Sequence, residues 1–140
     1  MAIMKSYGLF ISHAWRYHDD YDRLGKLLNA TPYFNWRNYS VPRHDPAIDP
    51  NTSAGDRQLR QELSKQIKPV NCVLVVSGMY AAYSYWIQVE IDIAKEYGKP
   101  ILGLVPLGQD RIPVAIQQAA HEMVNWRTDS VIDAVRRWSI

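Results

Sequence analysis

The six residues NCVLVV at 71–76 constrain this chain more than any other segment. A strand with one wet face alternates apolar and polar side chains, but 72–76 is apolar without a break and rich in β-branched residues. Such a run belongs in the centre of a parallel sheet whose two faces are both covered by helices. Parallel strands need long, usually helical crossovers, so the remaining sequence should alternate between the two periodicities. It does. YGLFIS (7–12) reads as a first strand. HDDYDRLGKLLNA (18–30) reads as a helix, with Tyr21, Leu24, Leu27 and Leu28 at helical spacing and acidic residues in the first turn, where the helix dipole favours them. YFNW (33–36) is a short second strand after Pro32. DRQLRQELSKQIKPV (56–70) puts Leu59, Leu63 and Ile67 on one helical stripe, and CVLVVS (72–77) is the third strand. YSYWIQVEIDIAKEYGKPILGLV (83–105) is a third helix running into a fourth strand, PILGLV. IPVAIQQAA (112–120) is a short helix and HEMVNW (121–126) a fifth strand. TDSVIDAVRRWSI (128–140) closes the chain as a helix, with Thr128 as its N-cap and Val131, Ala134, Val135 and Trp138 facing inward.

Five βα units predict a single α/β domain over residues 1–140, an open and mostly parallel sheet with helices on both faces. Ligands of such sheets bind beyond the carboxyl ends of the strands, where the strand order reverses. That rim gathers SHAW (12–15), the loop 37–55 and SGMYAAYSYW (77–86). The loop holds Pro42, Pro46 and Pro50 and shows no periodicity; loops this long in compact domains are mostly functional or unstructured.

A net charge of +2, with Lys and Arg scattered and Arg136-Arg137 as the one adjacent pair, argues against a nucleic-acid or membrane-surface partner. The lone Cys72 cannot form an internal disulfide, which fits a reducing compartment, and its place in a strand makes it a small core residue. No apolar run approaches the length of a membrane span and the opening residues do not form a signal peptide, so the expected location is the cytoplasm.

Several chemistries common on this architecture are excluded at the rim. No dinucleotide fingerprint or phosphate loop follows the first strand, where the residues are SHAWRYH. No aspartate ends the third strand, as a receiver domain requires; Ser77 and Gly78 stand there. His13, His18, His44 and His121 are too dispersed for a metal site, and no G-x-S-x-G elbow exists. One residue then stands out. Successive helical residues turn by about 100°, which puts Gln88, Asp92, Lys95 and Lys99 together on a wet face with Glu96 just beyond. Glu90 falls on the other side, with Trp86, Ile93 and Tyr97. A carboxylate there, near the start of the helix and among aromatic rings, matches what glycosyl transfer asks of a group beside an anomeric carbon. Burial against Trp86 favours the neutral acid and a helix N-terminus favours the anion; spacing alone leaves that balance open. The alternative is a rotated helix whose Glu90 reaches solvent or an arginine.

FISHAW, YDRLGKLLN and YFNWRNYSVPRHDP, followed by YSYWIQVEIDIAKEYGKPILGLVPLG, closely resemble the TIR-like domains of bacteria. The nearest resemblance is to the TIR-like subunit of the Thoeris anti-phage system, the ThsB group, over residues 8–138. It rests most on FISHAW, NYSVP and the four-residue spacing of Trp86 and Glu90, taken together and in order. The resemblance implies a flavodoxin-like (TIR-like) three-layer fold with strand order 2-1-3-4-5. It also implies cleavage of the N-glycosidic bond between nicotinamide and ribose in NAD, which is a substrate; no cofactor and no metal are implied. The family's catalytic glutamate falls on Glu90, and Trp86 would shape the nicotinamide-ribose pocket. Phe10, Ser12 and His13 would line the cavity. Asn38, Tyr39 and Ser40 would begin a loop that gates access or contacts a neighbouring subunit of a homo-oligomer. Ser77, Gly78, Met79 and Tyr80 would form the opposite wall. The product would be ADP-ribose or a cyclic isomer acting as a diffusible signal to a separate effector protein. Two other readings compete: a non-catalytic TIR-like scaffold that signals by self-association, and a nucleoside 2-deoxyribosyltransferase.

Overall fold

The computed structural model describes residues 5–12, 19–40, 52–76, 80–105 and 113–140, with the backbone alone at 19–21 and 80–84. In chain order the elements are β1 (Ser6–Ile11), α1 (Asp19–Ala30), β2 (Asn35–Asn38), α2 (Ser53–Ile67) and β3 (Cys72–Val76). They continue as α3 (Tyr80–Glu96), β4 (Ile101–Val105), α4 (Val114–Ala119), β5 (Glu122–Asn125) and α5 (Thr128–Trp138). The strands form one sheet in the order β2-β1-β3-β4-β5, and every neighbouring pair is parallel. This is the flavodoxin-like order that the sequence resemblance implied.

Handedness assigns the layers. The α1 crossover moves from β1 outward to β2, whereas α2, α3 and α4 cross in the opposite direction toward β5. Right-handed crossovers therefore put α1 on one face and α2, α3 and α4 on the other. Contacts agree: α2 packs on α3, and α5 packs on α1. Both faces being covered, Cys72 to Val76 are all fully buried, as the unbroken apolar run demands. Burial pushes the Cys72 thiol up to about 12, so it stays protonated and inert.

Three local expectations need correction. The second strand is Asn35–Asn38 rather than 33–36, because Tyr33 takes a left-handed conformation (φ 60°) in the turn that leaves α1. Arg37 and Asn38, assigned to the loop from sequence, pair instead with Gly8 and Leu9. α2 starts at Ser53, three residues before Asp56, because the Thr52 hydroxyl accepts the Gly55 N–H at 3.0 Å and caps the helix. Thr128 is the first residue of α5, not its cap; Arg127 holds the cap position and no side chain bonds there. The inward face of α5 is as expected, with Val131, Ala134 and Val135 buried and Trp138 packed against the core.

α5 is tied to β5 through charge. Arg137 donates from Nη1 and Nη2 to the two oxygens of Glu122 (2.7 and 3.1 Å), and the Trp138 indole N–H donates to Glu122 Oε1 at 2.9 Å. The Arg137 guanidinium, then the indole, hold the Glu122 carboxyl down at about 2 against its ordinary 4.5. A carboxyl depressed by folding stabilises fully above its unfolded value, and that contribution disappears as pH falls through the folded one. From about pH 5 down to pH 2, wild-type protein should therefore lose more unfolding free energy than Glu122→Gln in urea titrations. Parallel pH profiles for the two proteins would show the cluster to be stability-neutral, as many exposed ion pairs are.

Candidate functional site

α3 is buried around most of its circumference. Ile87, Val89, Ile91, Ile93 and Ala94 have little or no exposed surface. The outward strip is narrow: Gln88 Nε2 donates to Asp92 Oδ1 at 3.0 Å, and Lys95 and Glu96 are exposed beyond it. Glu90 lies opposite that strip and has no exposed surface at all. One part of the sequence expectation fails. α3 begins at Tyr80, so Glu90 is its eleventh residue rather than near its start. That is about 15 Å along the axis, and the field of a helix terminus fades within a turn.

Ser12 meets the carboxylate. Its Oγ donates to Glu90 Oε1 at 3.0 Å, and it too is fully buried. Ser12 follows the last residue of β1, and its backbone N–H donates to Leu74 O of β3 at 2.8 Å. The Glu90 carboxylate thus sits over the carboxyl end of the β1–β3 seam. There the crossovers depart in opposite directions, which is where sheets of this order bind ligands. Burying a carboxyl group is costly unless hydrogen bonds hold it, and Ser12 supplies one.

The other expected residues fall into three groups. Phe10 shares the Ser12 side of β1, two residues earlier, and is a fully buried member of the core. Asn38, Tyr39 and Ser40 form a compact turn at the end of β2: Ser40 N donates to Asn38 Oδ1 at 2.9 Å, Ser40 Oγ donates to the same oxygen, and Tyr39 N donates to Leu9 O at 2.9 Å. The Tyr39 ring lies against Gly8, where an added Cβ would come within 2.8 Å of Cε2. His13, Ser77, Gly78, Met79 and most of the loop 37–55 lie outside the described residues, and Tyr80 is described by its backbone as the first residue of α3.

Trp86, one turn before Glu90, is half-buried and meets Tyr85 edge-on at 5.1 Å. It also lines a groove of about 700 Å3 at the N-terminal end of α2, with Thr52, Asp56, Arg57, Arg60 and Tyr85. On the groove wall Tyr85 Oη donates to Asp56 Oδ2 at 2.5 Å, while Arg60 donates to Asp56 Oδ1 (2.6 Å) and to Tyr85 Oη (2.8 Å). The Tyr85 hydroxyl, then Arg60, hold the Asp56 carboxyl below its usual range. Sequence reading missed this groove. Asp56 and Arg60 carry a visible four-residue spacing, but nothing in the sequence brings Tyr85 to them. Among the described residues, no group of three or more His, Cys, Asp or Glu is placed to hold a metal ion, and no helix is long and apolar enough to cross a membrane.

An all-parallel 2-1-3-4-5 sheet with a buried acid over its switch point defines a flavodoxin-like α/β domain with a candidate site at the usual ligand position. The family model described as "Thoeris protein ThsB, TIR-like domain" matches residues 10–111, and the chain belongs to that family. The match ends before α4, β5 and α5. Among solved structures the chain is similar to a CMP N-glycosidase, BcmB, from Clostridium botulinum: TM-score 0.53, 12% identity, covering 92% of this chain and 98% of that one. It is also similar to a 2-deoxyribosyltransferase from the psychrotolerant bacterium Bacillus psychrosaccharolyticus: TM-score 0.53, 11% identity, covering 90% of each chain. Identities this low show a shared fold and nothing more. No curated protein sequence matches the chain.

Removing the Ser12 hydroxyl should cost about 1–3 kcal/mol of unfolding free energy, because a buried acceptor loses its donor. In a double-mutant cycle with Glu90→Leu, which removes the acceptor, Ser12→Ala should show a coupling of about 0.5–3 kcal/mol. Strict additivity would mean that the 3.0 Å contact contributes nothing in solution.

Proposed function

We propose that this chain cleaves the N-glycosidic bond between nicotinamide and ribose in NAD, with Glu90 as the catalytic residue. The observation that carries the reading is the Glu90 carboxylate, buried over the β1–β3 seam and already accepting a hydroxyl donor from Ser12. A ribose hydroxyl offers the same chemistry as the serine. Membership of the ThsB TIR-like family supports the reading, as does the fold shared with two enzymes whose names specify glycosidic chemistry on nucleosides or nucleotides.

In the proposed reaction the C1′–N bond breaks and its electron pair leaves with nicotinamide, which departs neutral. The positive charge left on the sugar is steadied by the Glu90 carboxylate, which bonds the ribose hydroxyls. Water then adds at C1′ and loses a proton, giving ADP-ribose. Alternatively a hydroxyl or ring nitrogen of the adenosine half adds and gives a cyclic isomer. Family membership favours the cyclic signal, made in anti-phage defence to activate a separate effector protein. NAD is the substrate, and the chemistry needs neither a resident cofactor nor a metal. Because Glu90 has no exposed surface, a substrate that reaches it must displace the groups that cover it. That fits an enzyme silent until triggered, working as a homo-oligomer in the cytoplasm, away from nucleic acid and membrane.

The test compares wild-type and Glu90→Gln protein in extracts of phage-challenged cells, following NAD-derived products by chromatography and mass spectrometry. Glu90→Gln keeps the shape of the side chain, so turnover should fall by at least about a hundredfold while the thermal midpoint stays near wild type. Equal product from both proteins would remove Glu90 from the chemistry. Absence of product from both would favour the self-associating scaffold. Base exchange on deoxyadenosine would favour the deoxyribosyltransferase.

A further inference from the structure

The groove between α2 and α3 has three properties that the chemistry at Glu90 does not explain. The first is position. Trp86 lines the groove and lies one turn from Glu90, so the two side chains share a face of α3. One turn is about 6 Å of helix axis. In a nicotinamide dinucleotide the anomeric carbon and the nearest phosphate are separated by one furanose ring and one methylene, a comparable reach. The second is charge. Asp56 and Arg60 close on each other and on Tyr85, forming a neutral, rigid wall. Arg57 also lines the groove, is exposed, and pairs with no carboxylate among the described residues. Among the described lining residues one positive charge is therefore in surplus. The third is the backbone. Thr52 Oγ1 takes the Gly55 N–H and Thr52 O takes the Asp56 N–H, leaving the N–H groups of Ser53 and Ala54 as first-turn donors at the positive end of a fifteen-residue helix.

We propose that this groove is the diphosphate subsite of the dinucleotide, with the Arg57 guanidinium meeting the phosphate oxygens; the inference rests on the reading of Glu90 given above. Guanidinium suits this task because its planar fork can donate two parallel hydrogen bonds to one phosphate. Arg60 shapes the wall: its Nε and Nη2 donate to Asp56 and Tyr85, and its charge is balanced by the Asp56 carboxylate, which leaves Arg57 as the cation for the anion. Trp86 then borders both halves of the ligand, the sugar toward Glu90 and the diphosphate toward α2.

ADP is the probe, because it carries the diphosphate and adenosine but lacks the nicotinamide–ribose bond that the proposed reaction breaks. Calorimetric titration of the full chain should show saturable ADP binding that weakens about tenfold in Arg57→Ala. Adenosine binding should not change in that variant. Lys68→Ala, which removes a cation at the far end of the same helix, should bind ADP as wild type does. Absence of saturable ADP binding overturns the subsite, even if NAD is cleaved. So does an ADP affinity that Arg57→Ala leaves unchanged, or an equal loss for adenosine. Arg57-dependent ADP binding in a chain that never cleaves NAD upholds the groove and overturns only the role given to Glu90.

Discussion

One hydrogen bond joins the sheet to the chemistry. Ser12 and Glu90 are 78 residues apart in sequence, and their 3.0 Å contact depends on several elements being right at once. β1 must end with Ser12 facing the α3 side, which its hydrogen bond to Glu90 records. β3 must lie beside β1, which the Ser12 N–H to Leu74 O bond records. α3 must be deep enough in the fold that its eleventh residue, not its first turn, stands opposite that strand end. A sheet of another order would leave the same two residues apart.

The mid-helix position changes the electrostatics of the site. A carboxylate in the first turn would be steadied by helix N–H groups before any ligand arrived. Glu90 lacks that support and relies on local donors inside a core formed by Ile87, Val89, Ile91 and Ile93. An acid held in apolar surroundings by a hydroxyl can exchange that hydroxyl for one on a sugar at little cost, because bond type and geometry are conserved.

Strands buried on both faces were the most legible elements. β3 and β4 read directly from unbroken apolar runs, and their observed bounds differ from expectation by one residue at one end. The edge strand was misread because YFNW looks continuous, although Tyr33 at φ 60° belongs to the preceding turn. The start of α2 was hidden by a different ambiguity. Thr52, Ser53 and Gly55 have loop-like composition, yet Thr52 is a cap and Gly55 is buried within the helix. Glu90 was legible from helical periodicity as a carboxylate out of place, while its true distance from the helix start was not. The Asp56–Arg60–Tyr85 cluster had no sequence signal, since Asp56 and Tyr85 are 29 residues apart and meet only once α2 packs on α3.

The division of labour along the chain follows from where these contacts fall. The family match, 10–111, contains Ser12, the β2 turn, both walls of the groove, Trp86 and Glu90. β5 and α5 lie beyond it and contribute no residue to the groove. They carry a different kind of interaction: a surface cluster of Glu122, Arg137 and Trp138, and the buried stripe Val131, Ala134 and Val135 that covers the α1 side of the sheet. Many sequences can meet those needs, because an amphipathic stripe and an exposed ion pair are not demanding in side-chain identity. A buried acid paired with a particular hydroxyl over a strand seam is demanding. The segment matched by the family model therefore contains the part whose geometry leaves least freedom.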